Sequence, residues 1–368
     1  QERENDLVGA SFGRGFFVLD DYSALREMTE ENLSKKGKLF KPRDAKLFKP
    51  RNSLGNTGGQ FYIAKNPTYG AVFTYHLSDV PSTSKSKRMR SERILNKDMK
   101  DIPFPGYEAL AAEMEEKSAS IILTIKDSDG NHIRNIKKTA SKGSGKIAWN
   151  LRHKSYYPVR AGRSQSSWYY NPSGPYVTPG EYHAELFMEK DGTVEKLDGP
   201  ISFNVKPLRK GTLQGSSYDE YNSFRTKLSS LYIDISKYED EFRLMDNKIQ
   251  ILEKAAMQLE TFSPEMLKKI ADMKNKYNKL ELEYESNPAR DEIGEWDKVT
   301  LSTRIRIAMQ GLSTSYGPTE LNISNLDIAQ KMFNDYKVVI ESLKSELENL
   351  EKEVKDLNPP HISGSGIN

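Results

Sequence analysis

The sequence predicts a multi-domain fold of the β plus α class, with strands in its first half and helices in its second. Three observations predict it. Short apolar runs flank a glycine-rich turn near the start, strand-length runs recur between turn residues over 60–207, and apolar residues recur at heptad spacing over 217–358. The length of 368 residues suits two or three domains of ordinary size.

The first element is a predicted β-hairpin within residues 1–26. Its turn and second strand are marked by Gly13, Arg14, Gly15, Phe16 and Phe17. A lone hairpin is at best marginally stable in water, so we expect this one to complete a sheet that other residues supply. The residues before it are charged and polar, without the apolar segment of a signal peptide. We therefore expect the chain to be a fragment or a processed product.

Residues 27–59 are polar and poorly periodic, which predicts a linker. They contain the sequence Lys-Leu-Phe-Lys-Pro-Arg twice, at 38–43 and at 46–51. One interpretation is a basic docking strip, and the other is a linker with a duplicated edge strand. The second is favoured because proline limits pairing in a sheet.

Residues 60–207 predict an immunoglobulin-type β-sandwich, because short alternating runs are separated by turn residues at regular spacing. The predicted strands are 60–64, 71–77, 120–126, 146–151, 181–189 and 201–206. Trp149 is expected in the sandwich core. Residues 81–117 are highly charged and are interpreted as an insertion or a loop. Residues 142–146 are interpreted as a glycine-rich hairpin loop, because they lack the spacing of a phosphate-binding loop.

Residues 217–358 predict helices that form an antiparallel coiled-coil bundle, followed by a C-terminal tail at 359–368. From Phe224 to Leu259, apolar residues recur in alternating steps of four and three. Ser263-Pro264 predicts the start of a second helix, with serine as its N-cap. Further helices are expected at about 298–310 and 325–357. We interpret these regularly spaced apolar residues as the core of the bundle and not as a surface that binds another chain. A monomeric bundle is therefore favoured over an oligomeric coiled coil.

Composition excludes several classes of function. The chain has no cysteine, which excludes disulfides, thiolate metal ligands and cysteine nucleophiles. Its net charge of +3 does not indicate a nucleic-acid partner. No run of about 18 apolar residues is present, so we expect no membrane span.

No catalytic, cofactor-binding or metal-binding residues are predicted. The five histidines show no pair at helical metal-ligand spacing, and no Gly-x-Ser-x-Gly elbow occurs. Asp20 and Asp21 are adjacent on a strand and would point to opposite faces, which favours a strand-end cap or a salt bridge to Arg14 or Arg26. The Asp127 turn lacks the acidic twelfth residue of a calcium loop and is interpreted as a β-turn.

An aromatic stretch is the remaining candidate for a binding surface. It comprises Trp168, Tyr169 and Tyr170, with Tyr176 nearby. Exposed aromatic residues on a loop are typical of surfaces that recognise sugars or proteins. Packing of these rings against a neighbouring propeller or the helices is the favoured interpretation.

Three groups of residues carry a resemblance to a known family. Residues 9–21 and 66–75 resemble the last propeller strands, and the segment that follows them, in sortilin-like (BNR-repeat) β-propeller exo-proteins of Bacteroidota, which are often labelled glycosyl hydrolases. Residues 125–130, 149–152 and 177–182 resemble an Ig-like domain of the flagellar hook-capping type. Residues 302–305 and 317–319 resemble the helical tail. The resemblance implies that residues 1–26 are the last strands of a propeller whose other blades lie outside this chain.

The expected function is that of a non-catalytic C-terminal scaffold and interaction region. It would belong to a secreted, periplasmic or cell-surface propeller protein and mediate assembly or docking at the cell envelope. Its expected partners are the missing part of the propeller, in the same or a cleaved chain, and other envelope proteins. Two alternatives stay open: an accessory region of a secreted glycan-acting hydrolase, and a carbohydrate- or protein-binding module.

Overall fold

The structure is a computed structural model that describes residues 1–368 apart from 1, 4, 14, 51–65, 160–172, 210, 286 and 361–368. The chain divides into two compact units. The first comprises residues 1–154 and 173–210, and the second comprises residues 155–172 and 211–368.

The first unit contains strands and short helices. Its strands are β1 (Glu2–Arg3), β2 (Asp6–Ser11), β3 (Gly15–Leu19), β4 (Gly37–Leu39), β5 (Ala45–Leu47), β6 (Ala71–Leu77), β7 (Ser120–Asp127), β8 (His132–Thr139), β9 (Gly143–Trp149), β10 (Arg152–Lys154), β11 (Ser173–Tyr176), β12 (Gly180–Lys190) and β13 (Thr193–Pro207). Its helices are α1 (Ser23–Arg26), α2 (Glu30–Ser34), α3 (Ser84–Lys97) and α4 (Tyr107–Glu115).

Two sheets of this unit share one hydrophobic core. Among the described residues, one sheet has the order β5-β13-β12-β7-β8 and the other has the order β4-β6-β9. Alternate residues of β6 are buried, as expected for a strand with one face on a core. Trp149 is fully buried, and its ring lies 6.0 Å from that of Phe203 in an edge-to-face arrangement. The predicted core position of Trp149 is confirmed.

Residues 37–47 correct the prediction of a linker over 27–59. β4 pairs antiparallel with β6, whereas β5 pairs parallel with β13, so each forms the edge of a different sheet. Leu39, Phe40 and Ala45 are buried. Both copies of the duplicated motif begin with a strand, and Pro42 lies between them where no ladder bond is needed. The duplicated edge strand is therefore the better interpretation of this segment.

Three further segments of the first unit differ from expectation. Residues 81–117, interpreted as a loop or insertion, contain α3 and α4, and the Arg88 guanidinium donates to both carboxylate oxygens of Glu113 at 2.8 and 2.7 Å. The predicted hairpin loop at 142–146 is wrong beyond Lys142, because β9 begins at Gly143. Gly145 pairs with Tyr75 and leaves room for its ring. β8 was not predicted, because this charged edge strand contributes mainly Ile133 and Ile136 to the core.

The second unit is mainly helical. Its helices are α5 (Tyr218–Ala256), α6 (Pro264–Tyr284), α7 (Pro288–Glu292), α8 (Leu301–Gln310) and α9 (Glu320–Asp356). Ser217 and Glu220 form a capping box at the start of α5. Ser263 caps α6, whose first residue is Pro264, as predicted. Among the described residues, no helix is both long enough and apolar enough to span a bilayer.

The predicted core positions of these helices lie mostly in two hydrophobic cores. α8, the first halves of α5 and α9, and Tyr284 at the end of α6 build one core. The rest of α6 and the second halves of α5 and α9 build the other. The half-buried rings of Tyr238 and Tyr336 contact both cores. Leu357 is an exception at the end of its seam, since it is exposed.

The expectation of antiparallel neighbours applies to helices joined by short connections, so it does not fix the relative direction of α5 and α9. Lys227 pairs with Asp327, and Glu241 pairs with Lys344, so the two long helices run in the same direction. The helices α6 and α8 are both antiparallel to α9. For α6, Lys269 contacts Glu353 and Lys276 contacts Glu346. For α8, Arg304 contacts Asn325 and the Asn322 side-chain amide donates to the carbonyl oxygen of Ile307. At the coarser level, the prediction of a chain that combines strands and helices is confirmed.

Candidate interaction surface

The first three strands form a small antiparallel sheet with the order β1-β2-β3. In the hairpin of β2 and β3, Val8 lies opposite Val18 and Ala10 lies opposite Phe16. Gly13 and Gly15 have φ angles of 70° and 131°, which residues other than glycine rarely adopt. Both glycines therefore shape the turn, as the sequence predicted for a hairpin here. Arg14 lies outside the described residues.

Both faces of this hairpin carry exposed apolar side chains. Paired residues share a face, and faces alternate along a strand. One face carries Leu7, Leu19 and Phe17, and the other carries Val8, Val18 and Phe16. Phe16 is 81% exposed and Phe17 is 68% exposed.

This pattern is that of a strand pair from the middle of a buried sheet. Strands that are apolar on both faces occur where both faces are covered, and large uncovered apolar patches mark sites of association. Among the described residues, β3 also has a pairing strand on one side only. Its other edge presents backbone groups that a further strand could pair with.

Hydrogen bonds attach the base of the hairpin to the rest of the first unit. The carboxylate of Asp6 accepts hydrogen bonds from the Asp21 amide at 2.8 Å and from the Arg43 guanidinium at 3.0 Å. The Lys146 ammonium group donates to the carbonyl oxygen of Asp20 at 3.2 Å. These contacts fix the base and leave the exposed rings uncovered.

The acidic candidates of the sequence have local structural partners. The carboxylate of Asp21 accepts hydrogen bonds from the amide and hydroxyl of Ser23, the first residue of α1. The carboxylate of Asp127 accepts from the amides of Asp129 and Asn131 at 3.1 and 2.8 Å, within the turn between β7 and β8. In the described part of the chain, no group of three or more acidic or histidine side chains could hold a metal ion.

The predicted aromatic surface is described only at Tyr176. Trp168, Tyr169 and Tyr170 lie outside the described residues. Tyr176 is half-buried, with the Arg152 guanidinium 3.8 Å above its ring. The ring of Tyr69 meets it edge-on at 6.4 Å, and burial raises the pKa of Tyr69 to about 12. Tyr176 therefore packs against its own domain.

The residues that mark the hairpin in the sequence, Gly13 to Phe17, make up only part of its exposed apolar surface. The other exposed apolar residues are Leu7, Val8, Phe12, Val18 and Leu19. Their signal in the sequence was the lack of alternation: apolar residues occupy both sets of alternate positions in the hairpin, which is typical of strands buried on both sides.

The fold and this surface define a two-unit protein, in which a β unit presents an uncovered apolar sheet and a helical unit follows it. A scan against protein-family models finds no match, and a search of curated proteins finds no relative. The resemblance to sortilin-like propeller proteins therefore remains a prediction.

Proposed function

We propose that this chain is a non-catalytic scaffold and docking region of a secreted or cell-envelope β-propeller protein. In this proposal, β1–β3 complete the last blade of the propeller, whose other strands come from the same chain or from a separately cleaved one. The observation that carries the proposal is the exposure of apolar side chains on both faces of β2 and β3. The role requires burial and shape complementarity, whether or not the parent propeller acts on glycans.

The same proposal assigns finer classes to the two units. The paired sheets around Trp149 would be an Ig-like sandwich that follows the propeller strands in the chain. Their support is the single core that both sheets share and the burial of alternate residues. The helical unit would be a coiled-coil module for assembly with other envelope proteins, supported by the buried positions at heptad spacing in α5, α6 and α9.

Burial of the hairpin would supply a substantial driving force for docking. A large apolar side chain contributes about 1.5–3 kcal/mol when it passes from full exposure to full burial. Phe16 and Phe17 are mostly exposed, so each would contribute much of this amount. Opposite faces of the strand pair carry these two rings, so covering only one face would leave half of the gain unused.

Hydrogen exchange tests this proposal in the full-length propeller protein and in the isolated chain. We expect the amides of residues 6–19 to exchange slowly in the full-length protein and rapidly in the isolated chain, because the propeller would cover the hairpin only in the former. The strand pair β12–β13 is the internal control and should be equally protected in both. Rapid exchange of residues 6–19 in the full-length protein would contradict the proposal.

Substitution provides a second test. Phe17→Asp should weaken retention of the propeller portion by the cleaved chain, and Val194→Asp should leave it unchanged. Val194 is a matched control because it is also an exposed apolar residue on a strand of the first unit. Equal retention by both variants would show that the hairpin is not the docking surface.

A further inference from the structure

A cavity of about 100 Å³ lies in the helical unit, where its two cores meet. It lies between α5, α6 and α9, and aromatic side chains from all three helices line it. These are Tyr238, Phe242, Tyr277, Tyr284, Phe333 and Tyr336. Most other buried positions of the same seams carry Leu, Ile or Met, which fill gaps more readily than flat rings. The concentration of aromatic residues at this level of the three helices therefore accounts for the cavity.

The rings around this cavity are held in place by one another and by hydrogen bonds. The rings of Phe242 and Tyr277 are stacked at 4.1 Å, and those of Tyr284 and Tyr336 lie 5.2 Å apart. The Tyr336 hydroxyl donates to the carbonyl oxygen of Leu280 at 2.6 Å, and the Tyr284 hydroxyl donates to the carboxylate of Glu239. The hydroxyl protons of Tyr284 and Tyr336 are therefore engaged within the protein, so these two rings would contact a ligand through their ring atoms.

The charged groups that line the cavity are mainly negative. Glu239, Glu281 and Glu285 face one cation, Arg243. In the described part of the chain, no salt bridge involves any of these three carboxylates. The Arg243 guanidinium is exposed and lies 3.9 Å from the carboxylate of Asp240 instead. Among the described residues, the half-buried Glu239 therefore accepts a hydrogen bond from a phenol and forms no salt bridge.

The aromatic walls already attract ammonium groups of this chain from outside the cavity. The Lys274 ammonium lies 5.0 Å from the Tyr277 ring centroid, and the Lys337 ammonium lies 5.5 Å from that of Tyr238. Burial, together with the neighbouring carboxylate Glu239, raises the pKa of Tyr284 far above its usual range. The phenols therefore stay neutral, and the negative charge at the site comes from the carboxylates.

We propose that this cavity binds a methylated ammonium group, with the aromatic rings around its methyl groups and Glu239 as its counter-charge. Quaternary ammonium groups are recognised by aromatic cages, whose electron-rich faces attract the cation. A metal ion fits the site poorly, because hard cations require several oxygen ligands at short distance. Size agrees as well: a cavity of about 150 Å³ accommodates benzene, so one of about 100 Å³ suits a group of roughly five heavy atoms.

The test is a calorimetric titration of the full chain with choline and with its neutral isostere, 3,3-dimethylbutan-1-ol. We expect saturable binding of choline and binding of the alcohol that is at least about tenfold weaker, because the two share shape and differ in charge. Absence of saturable choline binding would overturn the proposal. Equal binding of the two would also overturn it, since the cavity would then be merely apolar.

A charge variant tests the role of Glu239 separately. Glu239→Gln keeps an oxygen that accepts the Tyr284 hydrogen bond and removes the charge, so choline affinity should fall by about fivefold or more while affinity for the alcohol is unchanged. Glu253→Gln makes the same change on an exposed part of α5 away from the cavity, and it should leave both affinities unchanged. Equal choline affinity of the two variants would overturn the assignment of Glu239. Because the ligand comparison is made on the unaltered chain, the test does not depend on a variant that folds.

Discussion

Gly145 lies directly opposite Tyr75 across the β6–β9 pair, and a β-carbon at position 145 would lie 2.5 Å from the Tyr75 hydroxyl oxygen. Tyr75 is fully buried, so its ring has little room to move. We predict that Gly145→Ala destabilises the first unit by about 1–3 kcal/mol, as overpacking does in other cores. Urea unfolding followed by tryptophan fluorescence measures the loss, in a background where Trp168 and Trp296 are replaced by Phe so that Trp149 is the reporter. Ser144→Ala, on the opposite face, should cost less, and equal effects would contradict the role of the close contact.

Glu185 predicts a specific dependence of stability on pH. The ammonium groups of Lys126 and Lys196 lie 2.7 and 2.5 Å from its two carboxylate oxygens and lower its pKa below the ordinary value of 4.5. A carboxyl group whose pKa is lower in the folded state adds stability above its unfolded pKa and loses it as the pH falls through the folded value. Both ammonium groups are partly solvated, so the contribution at pH 7 is about 1 kcal/mol.

Glu185→Gln measures this contribution. The variant should lose less unfolding free energy than the unaltered chain when the pH falls from 7 to 3, and the two losses should differ by about 1 kcal/mol. Glu181→Gln, at an exposed position of the same strand, is the control and should behave like the unaltered chain. An unaltered pH dependence in Glu185→Gln would show that the two lysines contribute nothing to stability.

The exposed hairpin predicts self-association of the isolated chain. Apolar strands with an open edge associate when nothing covers them. We expect Phe17→Lys to reduce concentration-dependent association in sedimentation velocity, while the unfolding free energy changes by no more than about 0.5 kcal/mol because the ring is exposed. Val194→Lys is the matched control. Association that is unaffected by Phe17→Lys would exclude the hairpin as its cause.

The parallel direction of α5 and α9 is testable on the unaltered chain. A carbodiimide joins ammonium and carboxylate groups that are in direct contact. Mass spectrometry should therefore find Lys227 joined to Asp327 and Lys344 joined to Glu241, whose charged atoms lie 2.6 and 3.1 Å apart. An antiparallel pair would instead join Lys227 to carboxylates in the C-terminal half of α9, and that product would contradict the structure.

Local patterns of the sequence predict the structure correctly where that structure depends only on neighbouring residues. Ser263 and Pro264 indicated the start of α6, because an N-cap and a proline at the first position satisfy the end of a helix locally. The alternation over β6 and the heptad spacing over α5 indicated which side chains are buried, because side-chain direction repeats every two or 3.5 residues.

Edge strands were poorly predicted, because their residues are defined by a partner far along the chain. β4 and β5 were interpreted as part of a linker, although Leu39 and Ala45 are buried once β6 and β13 lie beside them. For the same reason, the glycines before Trp149 were interpreted as a loop. What makes Gly145 suitable for a strand is the ring of Tyr75 opposite it, which lies 70 residues earlier.

The sequence by itself determined the two kinds of structure, the positions of the helix caps and the apolar character of the first hairpin. Each of these depends on a residue and its near neighbours. Only the tertiary structure decided which helices run parallel, that both faces of the hairpin are uncovered, and that Tyr284, Tyr336 and Phe242 surround one cavity beside Glu239. Heptad spacing marks such rings as buried, but it carries no information on which helix lies opposite or on whether flat rings fill the space between them.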